Sequence, residues 1–298
     1  MIKFVQNAKK RHLLFVLCTL GPVIVLFFYI RIIPIVKTAW YSFTDYSLLK
    51  VNPSFVGFHN YAIMFHDTAF KEALSNTLTV TVVCVLITLT LALFFSVILM
   101  RVGRASAVYE LIYFIPVVTP WVPASVIWRW LFDPSYGLVN QLFSLLHLPP
   151  QSWLQSPDHV IIAIIIISIW KTVGYYMVIF NVGLRNIPDI FYEAATIDGA
   201  NRRKQFRYIT LPLLKPIFLF AAIMAVIQFF NVFTVAYVAS ADNQGSPSYE
   251  FKVLVWEIYR NGFNYYKMGY ASAQAMVLLA FVLIIVLLQF KVAGNEID

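Results

Sequence analysis

Long apolar stretches alternate along the chain with short polar breaks. Six of them, at about 13–33, 78–99, 108–130, 160–183, 214–239 and 270–290, run with few charges for about 20 residues, the length a helix needs to cross roughly 30 Å of hydrocarbon. The expected fold is an all-α integral membrane protein with six transmembrane helices, forming one domain over 1–298. The first stretch follows Lys9, Lys10 and Arg11 as a signal peptide would. Its apolar run is long, however, and Arg31-Ile32-Ile33-Pro34 stands where a small-residue cleavage site belongs, so it reads as a retained helix.

The breaks differ in kind. Segment 34–77 carries the aromatic strings WYSF and FVGFHNYAIMF, 131–159 holds DPSYGLVNQLFSLL, a turn followed by a short amphipathic helix, and 241–269 opens on the turn-forming DNQGSPS. The most polar block, EAATIDGANRRKQFRYITLPLLKP at 193–216, lies between the fourth and fifth stretches. Ile187-Pro188-Asp189 reads as a helix start, since Pro pre-sets the backbone and Asp complements the positive end of the dipole. Ile190, Phe191, Ala194, Ala195 and Ile197 give that helix an apolar side, and Asp198-Gly199 ends it. A second, basic helix is expected from Asn201 to Thr210, stopped by Leu211-Pro212. The segment 187–212 is thus a helix–turn–helix at a membrane surface. On the residues alone it is either a lipid-touching amphipathic element or an insert for a protein groove, with Glu193 as anchor beside the small Ala194 and Ala195.

Composition narrows the class. The chain is 60% hydrophobic and 12% charged, with a mean hydropathy of +0.76, which belongs in a bilayer. The net charge of +8 comes from Lys and Arg dispersed among the breaks, so it orients helices rather than binding nucleic acid. Placing the N-terminus in the cytoplasm puts Lys3, Lys9, Lys10, Arg11, Arg101, Arg104, Arg185, Arg202, Arg203, Lys204, Arg207, Lys215 and Lys291 on that side, while 131–159, with no Lys or Arg, suits an external loop. Both termini and the 187–212 block are therefore expected in the cytoplasm. Cys18 and Cys84 lie inside apolar runs, and the five His lie in termini or breaks without metal-ligand spacing. With no catalytic constellation in the spans, an enzyme is not expected. Nor is an autonomous secondary transporter, because no internal repeat or buried relay acid is visible.

Polar residues inside spans mark candidate chemistry. Ser168, Thr172 and Tyr175 recur at i, i+4, i+7 in the fourth span, and Gln228 and Asn231 stand three apart in the fifth. At that depth polar groups are costly unless they face protein or water, so these five are candidate substrate-path residues, with helix–helix gluing as the alternative. Lys171 beside them either neutralises an anionic solute or pairs with a carboxylate or backbone carbonyl of another helix.

The string E-A-A, three residues, G, nine residues, I, one residue, L-P resembles the EAA loop of permease subunits of binding-protein-dependent ABC importers. The fuller form of that loop, EAAxxDGAxxxxxFxxIxLPxxxP, is matched through Glu193, Asp198, Gly199, Ala200, Phe206, Ile209, Pro212 and Pro216. The DGA version with its preceding Ile-Pro looks like the carbohydrate-uptake branch, of maltose and glycerol-phosphate type. FVGFHNY, DPSYGLVNQL and IYRNGFNYYKMGYASAQAMVLL extend the likeness over most of the chain. The resemblance implies a type I importer permease in a prokaryotic cytoplasmic (inner) membrane, moving a sugar inward, with glycerol 3-phosphate as the alternative solute. It implies ATPase coupling through Glu193, Ala194, Ala195, Asp198, Gly199 and Ala200, and pathway contacts from the fourth and fifth spans. The implied partners are a second, homologous permease, two ABC ATPase subunits that carry the ATP and Mg, and an extracytoplasmic solute-binding protein. This chain itself would bind no cofactor.

Overall fold

The computed structural model describes residues 2–50, 52–100, 102–240 and 251–294. Its elements in chain order are α1 (Ile2–Phe27), α2 (Ile33–Tyr41), α3 (His59–His66), α4 (Thr68–Leu99), α5 (Ser106–Val118), α6 (Trp121–Leu131), α7 (Leu138–Leu145), α8 (Pro157–Arg185), α9 (Asp189–Ile197), α10 (Arg202–Gln205), α11 (Leu211–Phe230), α12 (Thr234–Ser240), α13 (Leu254–Tyr259) and α14 (Met268–Gly294). Pairing of extended backbone among the described residues is limited to an isolated bridge, Thr44 with Phe55. The chain divides into two compact units, 1–66 with 258–277, and 67–257 with 278–298.

In the first unit, π-helical Phe28–Ile32 joins α1 to α2, so Phe15–Tyr41 is one apolar stretch of spanning length, none of whose apolar window is buried within the chain. After α2 the chain folds back on itself. Asn60 donates from its buried amide to the carbonyls of Ser42 and Thr44, both at 2.8 Å, and Tyr61 donates to Ser42 Oγ at 2.8 Å. Polar groups taken out of water here are therefore paired. Outside any span, Lys50 pairs with Asp45 and holds its carboxyl below the usual carboxylate range.

The second unit is organised around α4 and α8. Asp67 caps α4, accepting from the N–H of Ala69 at 2.8 Å. Ala73, Thr77, Thr81, Cys84, Thr88, Ala92 and Ser96 then form a buried stripe of small residues down α4. Such residues let membrane helices approach closely. Ser96 Oγ donates across to the carbonyl of Met177 in α8, at 2.9 Å. α5 and α11 also pack on α8. Gly174 sets the α5 distance: a Cβ there would lie 1.9 Å from the carbonyl oxygen of Tyr113.

Two expectations are corrected. The 108–130 stretch is not one straight span: it breaks at Thr119-Pro120, and α5 and α6 bend by 98°. Pro120 supplies no N–H to continue the ladder, and both Thr119 and Pro120 are extended. Conversely, Leu211-Pro212 does not stop the second helix of the polar block. Residues 206–210 form a π-helical turn in which the Leu211 N–H bonds the Phe206 carbonyl, and the wider turn lets the helix run through Pro212 from Arg202 to Phe230. Counting the bent pair as one crossing, up to 6 stretches among the described residues are long and apolar enough to span a membrane.

Candidate coupling block and transport path

Backbone devices written into the sequence build the 187–212 block. Gly199 sits at φ +75°, a left-handed conformation that L side chains adopt at a cost. The Ala200 N–H bonds the Ala195 carbonyl at 2.8 Å and the Gly199 N–H bonds that of Thr196 at 3.1 Å, the paired closure of a Schellman helix end. In DGA, then, Asp198 closes α9, Gly199 turns the chain, and Ala200 faces the closure with Ala195, both half-buried. Asn201 caps α10 by accepting from the Lys204 N–H at 3.0 Å. Gln205 donates back to Thr196 Oγ1 at 2.9 Å, and Tyr192 OH and Thr210 Oγ1 lie 2.9 Å apart. The turn is braced from both sides.

The apolar side of α9 points away from that brace. Ile190 and Ile197 are 66% and 87% exposed, and Glu193 and Ala194 are exposed between them. The Glu193 and Asp198 carboxylates have no partner among the described residues.

At the far end of α11 the candidate path residues separate into groups. Thr172, Tyr175 and Gln228 line a cavity of about 310 Å³ with Lys171, Trp121 and Val117. Asn231 lines a second cavity, of about 280 Å³, which also takes in Gln228 and Trp121. Ser168 lines neither; its Oγ is buried without a partner among the described residues. Thr172 Oγ1 donates to the Ser168 carbonyl at 2.7 Å and Asn231 Nδ2 to that of Ile227 at 2.7 Å. Gln228 Oε1 accepts from Tyr176 OH at 2.7 Å. Lys171 Nζ donates to the carbonyls of Pro116 and Val117, at 2.6 and 2.8 Å.

Sequence reading missed Tyr176, Trp121, Tyr192, Gln205 and Thr210. Tyr192, Gln205 and Thr210 act across a turn, so spacing alone does not pair them. Trp121 carried a signal, since it follows Thr119-Pro120 directly. Among the described residues no group of three or more His, Cys, Asp or Glu is placed to hold a metal ion.

Apolar helices of spanning length, with mainly apolar cavities that carry a few hydrogen-bonding side chains, have the makings of a membrane transport component. The model of the family described as "Binding-protein-dependent transport system inner membrane component" matches residues 85–293. The chain is 35% identical over 278 residues to the probable ABC transporter permease protein YesP of Bacillus subtilis, covering 92% of this chain and 89% of that one. It is 33% identical to the trehalose/maltose transport system permease protein MalF of Thermococcus litoralis, over 85% and 84% of the two chains. In fold it is similar to a chain of a bacterial ABC transporter involved in the import of the polysaccharide alginate, with a TM-score of 0.85, 22% identity, and 99% and 100% coverage. This chain therefore belongs to the inner-membrane components of binding-protein-dependent transport systems, as a non-catalytic, multi-pass permease subunit with the type I importer fold.

Proposed function

We propose that the chain is the permease of an ATP-driven importer for a sugar or sugar-like solute, delivered by an extracytoplasmic binding protein. It would work with a second homologous permease and two ATPase subunits that carry the ATP and Mg, with its termini and the 187–212 block in the cytoplasm. Glu193, Ala194, Ala195, Asp198, Gly199 and Ala200 are the ATPase-coupling residues in this reading. Tyr175, Gln228 and Asn231 line the path, with Thr172 and Ser168 supporting them. A relative named for trehalose and maltose supports the sugar class. So does a cavity pairing the rings of Trp121 and Tyr175 with the amide of Gln228, the mix of apolar and hydrogen-bonding groups that orients a small ligand.

The observation that carries the coupling role is the outward face of α9. Exposed Ile190, Ala194 and Ile197 beside a Glu193 unpaired among the described residues, on a braced helix, suit a protein groove better than a lipid surface. A basic lipid-binding helix would depend on Arg202, Arg203 and Lys204 instead. Glu193→Ala and Gly199→Val should each lower ATPase co-purification and uptake, with the subunit at normal levels in the membrane. Wild-type behaviour of both, with loss on neutralising Arg202, Arg203 and Lys204, would overturn the coupling role.

A further inference from the structure

The corner between α5 and α6 has a deficit that its own sequence cannot repair. In a continuous helix the Pro116 carbonyl would take the N–H of residue 120, but residue 120 is proline. The Val117 carbonyl would take the N–H of Trp121, which lies beyond the 98° bend. Two adjacent carbonyls at the negative end of α5 are therefore left without helical donors. Unpaired carbonyls inside a membrane protein are costly.

Lys171, at the middle of α8, donates to both, from 2.6 and 2.8 Å. Its ammonium also stands 5.2 Å from the ring centroid of Trp121, the first residue after the break, within the range of a cation–π contact. An ammonium has three donors and no acceptor. Here two meet carbonyls and the ring covers a further side, so the residues on both sides of the break converge on one group. The charge also complements the negative end of the α5 dipole. Gly174, nearly one turn further along α8, admits the α5 backbone so closely that a Cβ would clash with Tyr113. That close approach brings the lysine within reach.

We propose that Lys171 is a positioning residue that pins the α5–α6 corner, and through it the Val117 and Trp121 walls of the cavity shared with Tyr175 and Gln228. In this assignment its role is to hold the corner rather than to read solute charge, since two of its three donors are taken by the chain's own carbonyls and the Trp121 ring covers a further side. The assignment is independent of the coupling block, whose geometry it does not use.

The corner can be tested directly. A full transporter whose subunit lacks Cys18 and Cys84 and carries Thr119→Cys is labelled in membrane vesicles with a membrane-permeant maleimide. Lys171→Met keeps the apolar stem and removes both hydrogen bonds and the ring contact, so labelling should accelerate at least about tenfold, the factor that even one charge-assisted hydrogen bond is worth in an opening equilibrium. Lys171→Arg can still donate to both carbonyls and should stay within about twofold of the parent. Trp121→Leu removes only the ring and should fall between them. ATPase co-purification should stay at the parent level in all three. A parent labelling rate in Lys171→Met, the result expected of a solute-reading lysine, would overturn the proposal, as would equal acceleration in Lys171→Arg. Should Lys171→Met fail to reach the membrane, Trp121→Leu decides: acceleration supports the pin and a parent rate rejects it.

Discussion

The two ends of α11 solve opposite problems. At its start, the 187–212 block uses its polar backbone groups in the Schellman closure and the Asn201 cap, and its Tyr192, Gln205 and Thr210 side chains in bracing the turn. Its outward residues are left over: Glu193 unpaired among the described residues, Ile190 and Ile197 bare. Near its other end, about 26 Å along the helix, almost the reverse holds. Lys171, Thr172, Tyr176 and Asn231 are each bonded within the chain.

The contrast follows from solvent. Beside water, a charged or apolar side chain can wait for a partner at little cost, so an interface is recognisable by the groups it leaves uncommitted. Between membrane helices an unpaired donor or charge is costly, so path residues must be held by the protein and yet offer surplus capacity to a passing solute. Gln228 fits that description. Its Oε1 is used by Tyr176, while its amide NH2 has no partner among the described residues and the residue lines both cavities.

Replacements should therefore damage the two ends in different ways, through folding at one and association at the other. The largest folding effect is expected at Gly174. A Cβ at 1.9 Å from the Tyr113 carbonyl forces α5 off α8, costing Gly174→Ala about 3 kcal/mol. Measured as the melting of the detergent-solubilised subunit, the loss should be on the order of 5–10 °C. A melting point equal to the parent's would mean that the α5–α8 contact is slack, and the middle of α8 not the rigid end of the comparison.

The positions of the helices were legible because runs of about 20 apolar residues allow little else. Their internal breaks were not. Pro120 and Pro212 look alike in sequence, each inside or beside an apolar run. One marks a 98° corner and the other passes through a π-helical turn. At the first, Thr119 and Pro120 are both extended and the carbonyls left over are met by Lys171 from another helix; at the second a single wider backbone turn carries the helix through, and none of this is local spacing. Periodicity likewise gave α9 an apolar side but not its direction. Direction depends on the Tyr192–Thr210 and Gln205–Thr196 contacts, which close across the turn. Among path candidates, Ser168 shared a helical face with Thr172 and Tyr175 but lines neither cavity, because a face on α8 is wide enough to serve both a neighbouring helix and a cavity.

Gln228 should give the next largest effect. Gln228→Leu strands the hydroxyl of Tyr176, which is fully buried, at about 1–3 kcal/mol. Adding Tyr176→Phe removes both partners and should return most of the stability, since no polar group is left stranded. Uptake separates gluing from reading. If the Gln228 amide meets solute hydroxyls, the double variant melts like the parent and still transports poorly across a panel of sugars. Restored transport alongside restored stability would assign Gln228 to helix gluing alone.

At Gly199 the expectation is smaller and of a different origin. Beyond its own residue and chain neighbours no described atom lies within 4 Å of the position a Cβ would take there, so Gly199→Ala meets no clash and feels only the φ of +75°, at about 1–2 kcal/mol. Gly199→Asn should recover much of this, because Asn tolerates the left-handed region. Indistinguishable melting of the Ala and Asn variants would show that the turn is held by its bracing side chains rather than by its backbone.

The smallest folding effect is expected at Ile197, which is 87% exposed at the end of α9. Its side chain contributes little to the subunit, so Ile197→Ser should move the melting point by no more than an exposed substitution does, within about 0.5 kcal/mol. If the face it shares with Ile190 and Ala194 docks into an ATPase groove, the same change removes apolar area that is buried only in the complex. Losing most of an isoleucine's buried surface weakens association by about 1.5–3 kcal/mol, enough to dissociate a complex that is marginal in detergent. The two readouts should therefore part company: an unchanged melting curve and a depleted ATPase band in the same preparation. An unchanged ATPase band would remove Ile197 from the interface and confine docking to Glu193 and its small neighbours. A depressed melting point would show instead that α9 leans on its own membrane domain, and the contrast between the two ends of α11 would disappear.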